Sequence, residues 1–332
     1  MIDTNKFSGV DIMVCNVVRF KKTESDAVAW GVLENNVIYP LAGSYATTKE
    51  FLNSGKDEAF SLLNKKDKKS DICFGDVTIL SPVTKPCLVL CQGANYREHM
   101  IDSGMNPDHK KFNMIFNKSD ASITGANNDI IKPDHVNLLD YEVELGLIIG
   151  TEISKSETIT DSMLSKYIAG IVIGNDISAR DVQVPQMQFF KGKSYRTFCP
   201  VGPVLCLLSE EEIGYIHNLE LTLTVNDEVR QQDNTKNLVF KPAETLTELS
   251  QISDMHVGDL IMTGTPSGCA LRIPPPLIQK IGALLPEPVK WKMFNKTQSR
   301  RSEYLNAGDV VRTTIRSLDG VIDLGTQENR VV

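Results

Sequence analysis

The 332-residue sequence lacks any uninterrupted apolar run of the length that a membrane span requires. It also lacks an excess of positive charge, since the formal net charge is -7 at pH 7. The short basic run at residues 65–69 is interrupted by an aspartate, which indicates a solvated helix end rather than a nucleic-acid surface. These absences argue against a membrane protein and against a nucleic-acid partner.

Cysteine is too irregular here for a disulfide framework or a zinc ribbon. The seven cysteines are odd in number and include no CxxC pair; Cys87 and Cys91, four residues apart, are predicted as core positions on one strand. No secretory signal is expected, because Asp3, Lys6 and Asp11 precede any long apolar run. We therefore expect a reduced, cytoplasmic protein.

The first part of the chain shows the patterns of a small mixed domain. Residues 13–41 alternate in the manner of strands, and residues 48–65 carry apolar positions at helical spacing. The proline-containing segment 81–86 interrupts these patterns. We therefore predict an N-terminal α+β domain over residues 1–82.

The remaining residues, 83–332, are dominated by short apolar runs. Helical patterns are few, with 159–167 and 243–252 as the best candidates, and no internal repeat is present. Runs of strands with scattered helices favour a β-rich α+β fold over alternating βαβ units.

Three carboxylates stand out within this β-rich part. Glu142 and Glu144 are two residues apart in an apolar run, so they point to the same face of a strand. Such a pair is repulsive unless a cation compensates it, and Asp176 ends a second apolar run nearby. The pattern predicts a divalent metal site built from oxygen ligands, which favour Mg²⁺, Mn²⁺ or Ca²⁺. Spacing alone equally allows two glutamates on a solvent-facing strand.

A candidate general base follows an earlier apolar strand. His99 lies in a segment that is predicted to open a helix, and Asp102, three residues on, shares its face. A carboxylate beside an imidazole orients it and raises its basicity. The alternative interpretation is a surface His–Asp pair.

Two further segments offer groups for binding an anion. Arg180, Gln183 and Lys193 follow Asp176 and are donors suited to a developing oxyanion, although each alone would pass as a surface residue. The segment 262–268 places Thr265 and backbone amides after an apolar strand, without the lysine of a nucleotide-binding loop.

Taken together and in this order, the segments that carry these residues resemble the sequence motifs of the fumarylacetoacetate hydrolase family. The matching phrases are NYREH at 95–99, FNKS at 116–119, DYEVEL at 140–145, NDISARD at 175–181, GKS at 192–194, FCPVGP at 198–203 and TGTPSG at 263–268. The resemblance covers residues 86–268 and resumes at 307–311.

The resemblance implies a fold and a ligand set. Family members have a mixed β-sandwich roll, usually form homodimers through it, and bind Mg²⁺ or Mn²⁺ with two glutamates and an aspartate. The matching positions are Glu142, Glu144 and Asp176, and Ca²⁺ is expected only as a non-physiological occupant. The family's base matches His99, but its glutamate partner is replaced by Asp102, which is one methylene shorter. The substrate and oxyanion positions match Lys118, Arg180, Gln183, Lys193 and Thr265, of which Lys118 resembles a lysine near the substrate carboxylate.

The resemblance also implies a reaction on a small oxo acid. We predict metal-dependent hydrolysis of a C–C bond in an acylpyruvate or a fumarylacetoacetate-like acid, with His99 taking a proton from water and Lys193, Arg180 and Gln183 holding the alkoxide. A hydratase, isomerase or decarboxylase of an oxo-diacid would use the same site. A non-catalytic binding protein is a third hypothesis, against which the complete set of site residues argues.

One segment departs from the family. Residues 269–306 form an insertion where relatives are commonly much shorter, and it carries Trp291, Arg300 and Arg301. It is interpreted as a surface excursion or dimer contact, or as a lid that restricts the substrate.

Overall fold

The computed structural model describes residues 14–22, 27–109, 111–273, 282 and 284–332. The strands are β1 Cys15–Lys22, β2 Val28–Glu34, β3 Val37–Pro40, β4 Ile72–Cys73, β5 Val77–Leu80, β6 Val89–Gly93, β7 Met114–Lys118, β8 Ile123–Gly125, β9 Leu139–Asp140, β10 Val143–Ile149, β11 Ile168–Asn175, β12 Ser178–Ala179, β13 Cys199–Val201, β14 Leu205–Leu207, β15 Leu219–Val225, β16 Glu228–Asn234, β17 Leu260–Met262, β18 Val310–Ser317 and β19 Asp323–Arg330. The helices are α1 Thr48–Ser54, α2 Lys56–Leu63, α3 Arg97–Asp102, α4 Leu164–Tyr167, α5 Arg180–Gln186, α6 Phe189–Lys193, α7 Pro242–Ser250 and α8 Glu287–Gln298. This composition confirms the predicted β-rich α+β class.

Two sheets form the body of the molecule. The larger follows the order β4-β3-β2-β1-β14-β11-β10-β17-β6-β7, with β5, β8 and β13 attached beside this path. The smaller is the antiparallel sheet β16-β15-β18-β19. The larger sheet is mixed, because β17 pairs with β6 and β13 with β8 in parallel, while its other pairings are antiparallel.

The N-terminal strands belong to the larger sheet. β1 pairs antiparallel with β14, with Val17 opposite Leu205, so backbone hydrogen bonding continues across residue 82. The division into domains 1–82 and 83–332 stays a prediction. The strands predicted in 13–41 are β1 to β3, apart from residues 13 and 23–26, which lie outside the described residues.

The helix predicted over 48–65 is two helices, α1 and α2, separated at Gly55. A Cβ at Gly55 would lie 2.5 Å from the ring of Tyr45 and 2.9 Å from that of Phe51. The close approach of these two rings therefore requires glycine where the apolar pattern alone predicted a continuous helix. The helix predicted over 159–167 is shorter than expected, because only α4 is α-helical and it follows a 3₁₀ turn. The helix predicted over 243–252 is close to α7.

The strands β10 and β11 lie at the centre, and all of their residues are buried. Leu145 and Leu147 pack with Leu221 and Ile315 of the smaller sheet. On the opposite face, Ile148 belongs to a second cluster that reaches the N-terminal strands. Because both faces are covered, the apolar residues of β10 do not alternate with polar ones.

The insertion is described only in part. Residues 274–281 and 283, including the three prolines at 274–276, lie outside the described residues, while α8 occupies much of the rest. Its roles as a lid or dimer contact stay predictions. Among the described residues, no helix is long and apolar enough to cross a membrane.

Candidate active site

The three predicted metal ligands converge at one edge of the central strands. Glu142 directly precedes β10, Glu144 lies within it, and Asp176 directly follows β11. Each residue offers a carboxylate oxygen, and these oxygens all lie within 4.8 Å of one another. All three side chains are buried, so the interpretation as surface glutamates does not hold.

The strand register explains this convergence. In the antiparallel pair β10–β11, Val143 lies opposite Asn175, which brings the flanking Glu142 and Asp176 side by side. The Asp176 N–H donates to the Glu142 carbonyl at 2.8 Å, and the Glu142 N–H donates to Asn175 Oδ1 at 2.9 Å. The edge of the sheet therefore fixes two of the three carboxylates through the backbone.

Glu144 is held by the loop after β17. The Gly264 N–H donates to Glu144 Oε2 at 2.7 Å. Gly264 has a φ of +90°, and a Cβ there would lie 2.7 Å from the Cβ of Asn95. Both its backbone conformation and this close approach require glycine, which explains the first glycine of the TGTPSG phrase.

Two lysines neutralise the carboxylates from within the protein. Lys193 donates to Glu142, to Asp176 Oδ2 at 2.6 Å and to the Ser178 hydroxyl at 2.8 Å. Lys118 donates to Asp176 Oδ1 and to the Phe198 carbonyl. An ammonium has three donors, so these contacts occupy Lys193 fully.

Arg180 completes the buried charge set from the first turn of α5. Its guanidinium donates to Asp140 Oδ2 at 2.8 Å, to Gln183 Oε1 at 2.8 Å and to Glu142 Oε1 at 2.5 Å. Asp140 in turn accepts the backbone N–H of Ala270 at 2.7 Å. We call the buried residues Lys118, Asp140, Glu142, Glu144, Asp176, Arg180 and Lys193 the floor.

The floor shifts the pKa values of its members in opposite directions. Burial alone would raise the pKa of Glu142, but the Arg180 and Lys193 cations outweigh it and hold that pKa well below its ordinary value. Burial and the neighbouring Asp176 and Glu142 carboxylates raise the pKa of Glu144 well above its ordinary value. Burial opposes the charge of Lys193, yet Asp176 and Glu142 raise its pKa overall. The floor thus contains one carboxylate, Glu144, that is costly to ionise.

The chemistry of the donor set fits a divalent cation. The floor holds four carboxylates against three cations, and Glu144 receives its hydrogen bond from a backbone N–H rather than from a cation. An additional cation beside Glu144, Glu142 and Asp176 would compensate the remaining negative charge. A set of carboxylate oxygens suits Mg²⁺ or Mn²⁺ rather than a thiophilic metal.

A second group of polar side chains lies above the floor. The rim consists of His99, Asp102, Ser267 and Arg272. Asp102 accepts hydrogen bonds from the Ser267 hydroxyl and from Arg272 Nη1, the latter at 3.0 Å. Among the described residues, no hydrogen bond joins His99 to Asp102, the carboxylate predicted to lie beside it. A ring nitrogen of His99 instead lies within 4.8 Å of a Glu142 oxygen, and burial lowers the pKa of His99.

Several residues of the floor and the rim line one cavity of about 320 Å³. Eight of the ten predicted site residues line it, namely His99, Asp102, Glu142, Glu144, Arg180, Gln183, Lys193 and Thr265. Apolar walls come from Met114, Phe116 and Phe189. This volume is at the small end of ligand sites and matches a compact acid.

Two predicted residues lie behind the cavity wall. Asp176 reaches the other carboxylates from below, and Lys118, which is fully buried, supports Asp176 rather than lining the cavity. This position favours a supporting function for Lys118 over contact with a substrate carboxylate. The individual roles of the predicted site residues stay predictions.

Sequence reasoning gave no role to Asp140 or Gln231. Gln231 accepts the Val143 N–H at 3.0 Å and donates to the Thr265 hydroxyl at 2.8 Å, thereby linking β10 to the TGTPSG loop. Gln231 stands in the polar strand β16 with no motif around it, so no signal identified it. Asp140 is the first residue of the matched motif DYEVEL at 140–145, and this match was the signal that could have identified it.

The fold and site together define a class of β-rich proteins with a buried carboxylate cluster that suits a divalent cation, below a small cavity. The family model described as fumarylacetoacetate (FAA) hydrolase C-terminal matches residues 88–332. The chain belongs to this enzyme family.

Individual relatives are similar over most of the chain. It is 36% identical over 256 residues to a mitochondrial oxaloacetate tautomerase from Bos taurus, covering 76% of this chain and 78% of the relative. It is 37% identical over 213 residues to an oxaloacetate tautomerase from Bacillus subtilis, covering 62% and 68% respectively. The solved fumarylacetoacetate hydrolase from Exiguobacterium antarcticum has a TM-score of 0.68 and 28% identity, covering 96% of this chain and 99% of that one.

Proposed function

We propose that the chain is a divalent-metal-dependent tautomerase that interconverts the enol and keto forms of a small 2-oxo diacid of the oxaloacetate type. One observation carries the proposal: the carboxylates Glu142, Glu144 and Asp176 cluster beside His99 at a single small cavity. The activity named for the relatives from Bos taurus and Bacillus subtilis supports the same reaction.

Glu142, Glu144 and Asp176 would hold the cation. When bound, a divalent cation supplies electrostatic stabilisation to the negative charge that develops on the 2-oxo group during proton transfer. Arg180 and Lys193 are bonded to these carboxylates, and their charges favour the ionised form of Glu142. Their contribution is therefore to keep the ligand set ionised and oriented.

The proton transfer falls to His99. On conversion of the enol to the keto form, the enol oxygen loses a proton, and the carbon next to the one that carries this oxygen gains one. No water and no second substrate are consumed. Burial lowers the pKa of His99 and favours the neutral imidazole, which accepts a proton on one nitrogen and returns it from the same position. His99 lines the cavity and needs no change of fold to reach a substrate there.

The rim favours tautomerisation over hydrolysis. Activation of water for attack on a carbonyl benefits from a histidine that a carboxylate orients, but the Asp102 carboxylate is bonded to Ser267 and Arg272. Tautomerisation requires only proton exchange with the substrate. It is consequently the less demanding reaction for this arrangement.

A second candidate is hydrolysis of a C–C bond in an acylpyruvate, as predicted from the sequence. The specific observation in its favour is that the partly buried His99 shares the cavity with the polar groups of Gln183 and Thr265, an environment that suits a bound water. In that reaction the hydroxyl of water joins the acyl carbon, its proton joins the departing carbon, and two acids are released.

Turnover of the enol form of oxaloacetate tests the proposal. We expect Mg²⁺ to accelerate the loss of enol absorbance, EDTA to abolish the acceleration, and NMR to show keto oxaloacetate as the product. Release of pyruvate and a second acid from acetylpyruvate or fumarylpyruvate would instead support the hydrolase, and release of carbon dioxide a decarboxylase. No reaction with any of these acids would contradict both candidates and favour a binding protein.

The assembly is proposed on the resemblance alone, and the location on the cysteine pattern of the sequence. We expect a homodimer, which sedimentation analysis of the purified chain would test, with a monomer as the contradicting result. A cytoplasmic location stays a prediction.

A further inference from the structure

We propose that Arg272 forms a subsite for the distal carboxylate of the substrate and so selects diacids over monoacids. The inference rests on the proposed function, since it concerns the same cavity. It assigns a role to a residue that lies beyond the TGTPSG phrase, within residues 269–306, the segment predicted to be an insertion.

Arg272 is placed to meet a ligand at the cavity mouth. It lines the same cavity as Glu142 and Glu144, and its side chain is 50% exposed. Its guanidinium already binds a carboxylate, because Nη1 donates to Asp102 Oδ2 at 3.0 Å. Arginine is suited to this task because its planar fork matches the two oxygens of a carboxylate.

The other cations of the cavity wall are committed to the floor. Arg180 donates to Asp140, Gln183 and Glu142, and Lys193 donates to three acceptors of its own. Using either one for a second substrate carboxylate would leave a buried carboxylate without its counter-charge, which is costly. Of the described cations that line the cavity, Arg272 is the one at the rim, where exchange of partners leaves no buried charge.

The backbone of Arg272 is anchored although its side chain is exposed. The buried Gln298 of α8 donates from Nε2 to the Arg272 carbonyl at 2.8 Å, and the Tyr304 hydroxyl donates to Gln298 Oε1 at 2.8 Å. On the other side, the Leu271 N–H donates to Asp140 Oδ2 at 3.0 Å. A floor residue and the insertion helix thus hold Arg272 at a fixed place above the carboxylates.

Asp102 serves as the internal competitor for this subsite. The Asp102–Arg272 pair is partly exposed, with side chains 39% and 50% accessible, and pairs of this kind contribute little to stability. A substrate carboxylate can therefore replace Asp102 on the guanidinium at low cost. A monoacid has no group to make this exchange.

A matched pair of unreactive ligands tests the proposal by calorimetry in the presence of Mg²⁺. N-oxalylglycine carries an oxo-acid head and a distal carboxylate, and N-ethyloxamate has a methyl group in place of that carboxylate. We expect the wild-type protein to bind the diacid roughly tenfold more tightly, as befits one charged hydrogen-bonding contact at a partly exposed site. In Arg272→Gln the two ligands should bind with about equal affinity, while Arg272→Lys should retain part of the preference for the diacid.

Two further variants sharpen the test. Asp102→Asn removes the competitor's charge, so the diacid should bind several-fold more tightly with no change for the monoacid. Arg300→Gln removes an exposed arginine of the same segment and should leave both affinities unchanged.

The outcomes separate this inference from the proposed function. No preference in the wild-type protein, full preference in Arg272→Gln, or no binding of either ligand would overturn the subsite. A preference that depends on Arg272 in a protein that does not tautomerise oxaloacetate would uphold the subsite and reject the reaction. Tautomerisation of oxaloacetate by a protein that binds the two ligands with equal affinity would uphold the reaction and reject the subsite.

Discussion

The floor and the rim of the cavity are built in opposite ways. In the floor, buried carboxylates and cations on the central strands and their flanking segments bind one another directly. In the rim, Asp102, Ser267 and Arg272 sit on a short helix and a loop and are exposed or partly exposed. The difference separates the residues that fix a charge distribution from those that can adapt to a substrate.

The contrast has an energetic basis. Removing one partner from a buried ion pair leaves an uncompensated charge and costs several kcal/mol, whereas an exposed pair contributes about 0–1 kcal/mol. The floor must therefore be kept or changed as a set. The three exposed or partly exposed rim residues, Asp102, Ser267 and Arg272, tolerate single changes, which makes them positions where members of one family can acquire different substrates. His99, the fourth rim residue, carries the proposed proton transfer and is the exception.

The largest expected effect is that of Glu144→Gln. The amide still accepts the Gly264 N–H but cannot supply an anionic ligand, so Mg²⁺ affinity should fall at least about a hundredfold and tautomerase activity should fall to background. Calorimetric titration with Mg²⁺ measures the first effect and enol absorbance the second. Glu152→Gln, at an exposed glutamate, is the control. Wild-type Mg²⁺ affinity in Glu144→Gln would remove this residue from the ligand set.

His99→Asn should separate chemistry from metal binding. The asparagine side chain does not transfer protons, so the turnover number should fall by about a thousandfold while Mg²⁺ affinity stays within about twofold of the wild type. Enol absorbance at saturating Mg²⁺ provides the measurement, with His256→Asn at an exposed histidine as the control. If His99→Asn kept its turnover number, the proton transfer would have to be assigned to another group.

The sequence predicts much of the floor because local patterns encode it. The two-residue spacing of Glu142 and Glu144 places them on one face, and the phrases around Asp176, Arg180 and Lys193 carry the family resemblance. What spacing could not decide was burial. β10 is covered on both faces, so its apolar residues do not alternate in the way that would distinguish an inward carboxylate from an outward one.

The rim and the floor's supports depend on contacts between distant segments. Gln231 is 88 residues from Val143, and Ser267 is 165 residues from Asp102. No short-range pattern reports such pairs, which is why the sequence paired Asp102 with its helical neighbour His99. For the same reason the parallel pairing of β17 with β6, which positions the TGTPSG loop, emerges only in the fold.

Lys118→Met tests whether the buried ion pairs of the floor stabilise the fold. The substitution leaves Asp176 without one of its two cations in a fully buried place, so the free energy of unfolding should fall by about 3 kcal/mol. Urea unfolding in the presence of EDTA measures this loss without a contribution from bound metal. Lys155→Met, at an exposed lysine, should change the stability by less than about 0.5 kcal/mol. Equal stabilities of the two variants would show that Asp176 does not depend on Lys118.

Ser267→Ala should give the smallest effect on stability and activity. It tests how far a rim residue can be changed without consequence. The lost hydrogen bond to Asp102 is exposed, and Arg272 still holds that carboxylate, so the stability should change by less than about 0.5 kcal/mol and kcat/KM by less than about threefold. Urea unfolding and initial rates with enol oxaloacetate measure the two quantities, with Ser162→Ala as an exposed control. A loss of activity above about tenfold at unchanged stability would be incompatible with an adaptable rim. It would mean that the orientation of Asp102 takes part in the reaction. Ser267 and Asp102 would then belong, with the floor, to the fixed part of the site rather than to the variable rim.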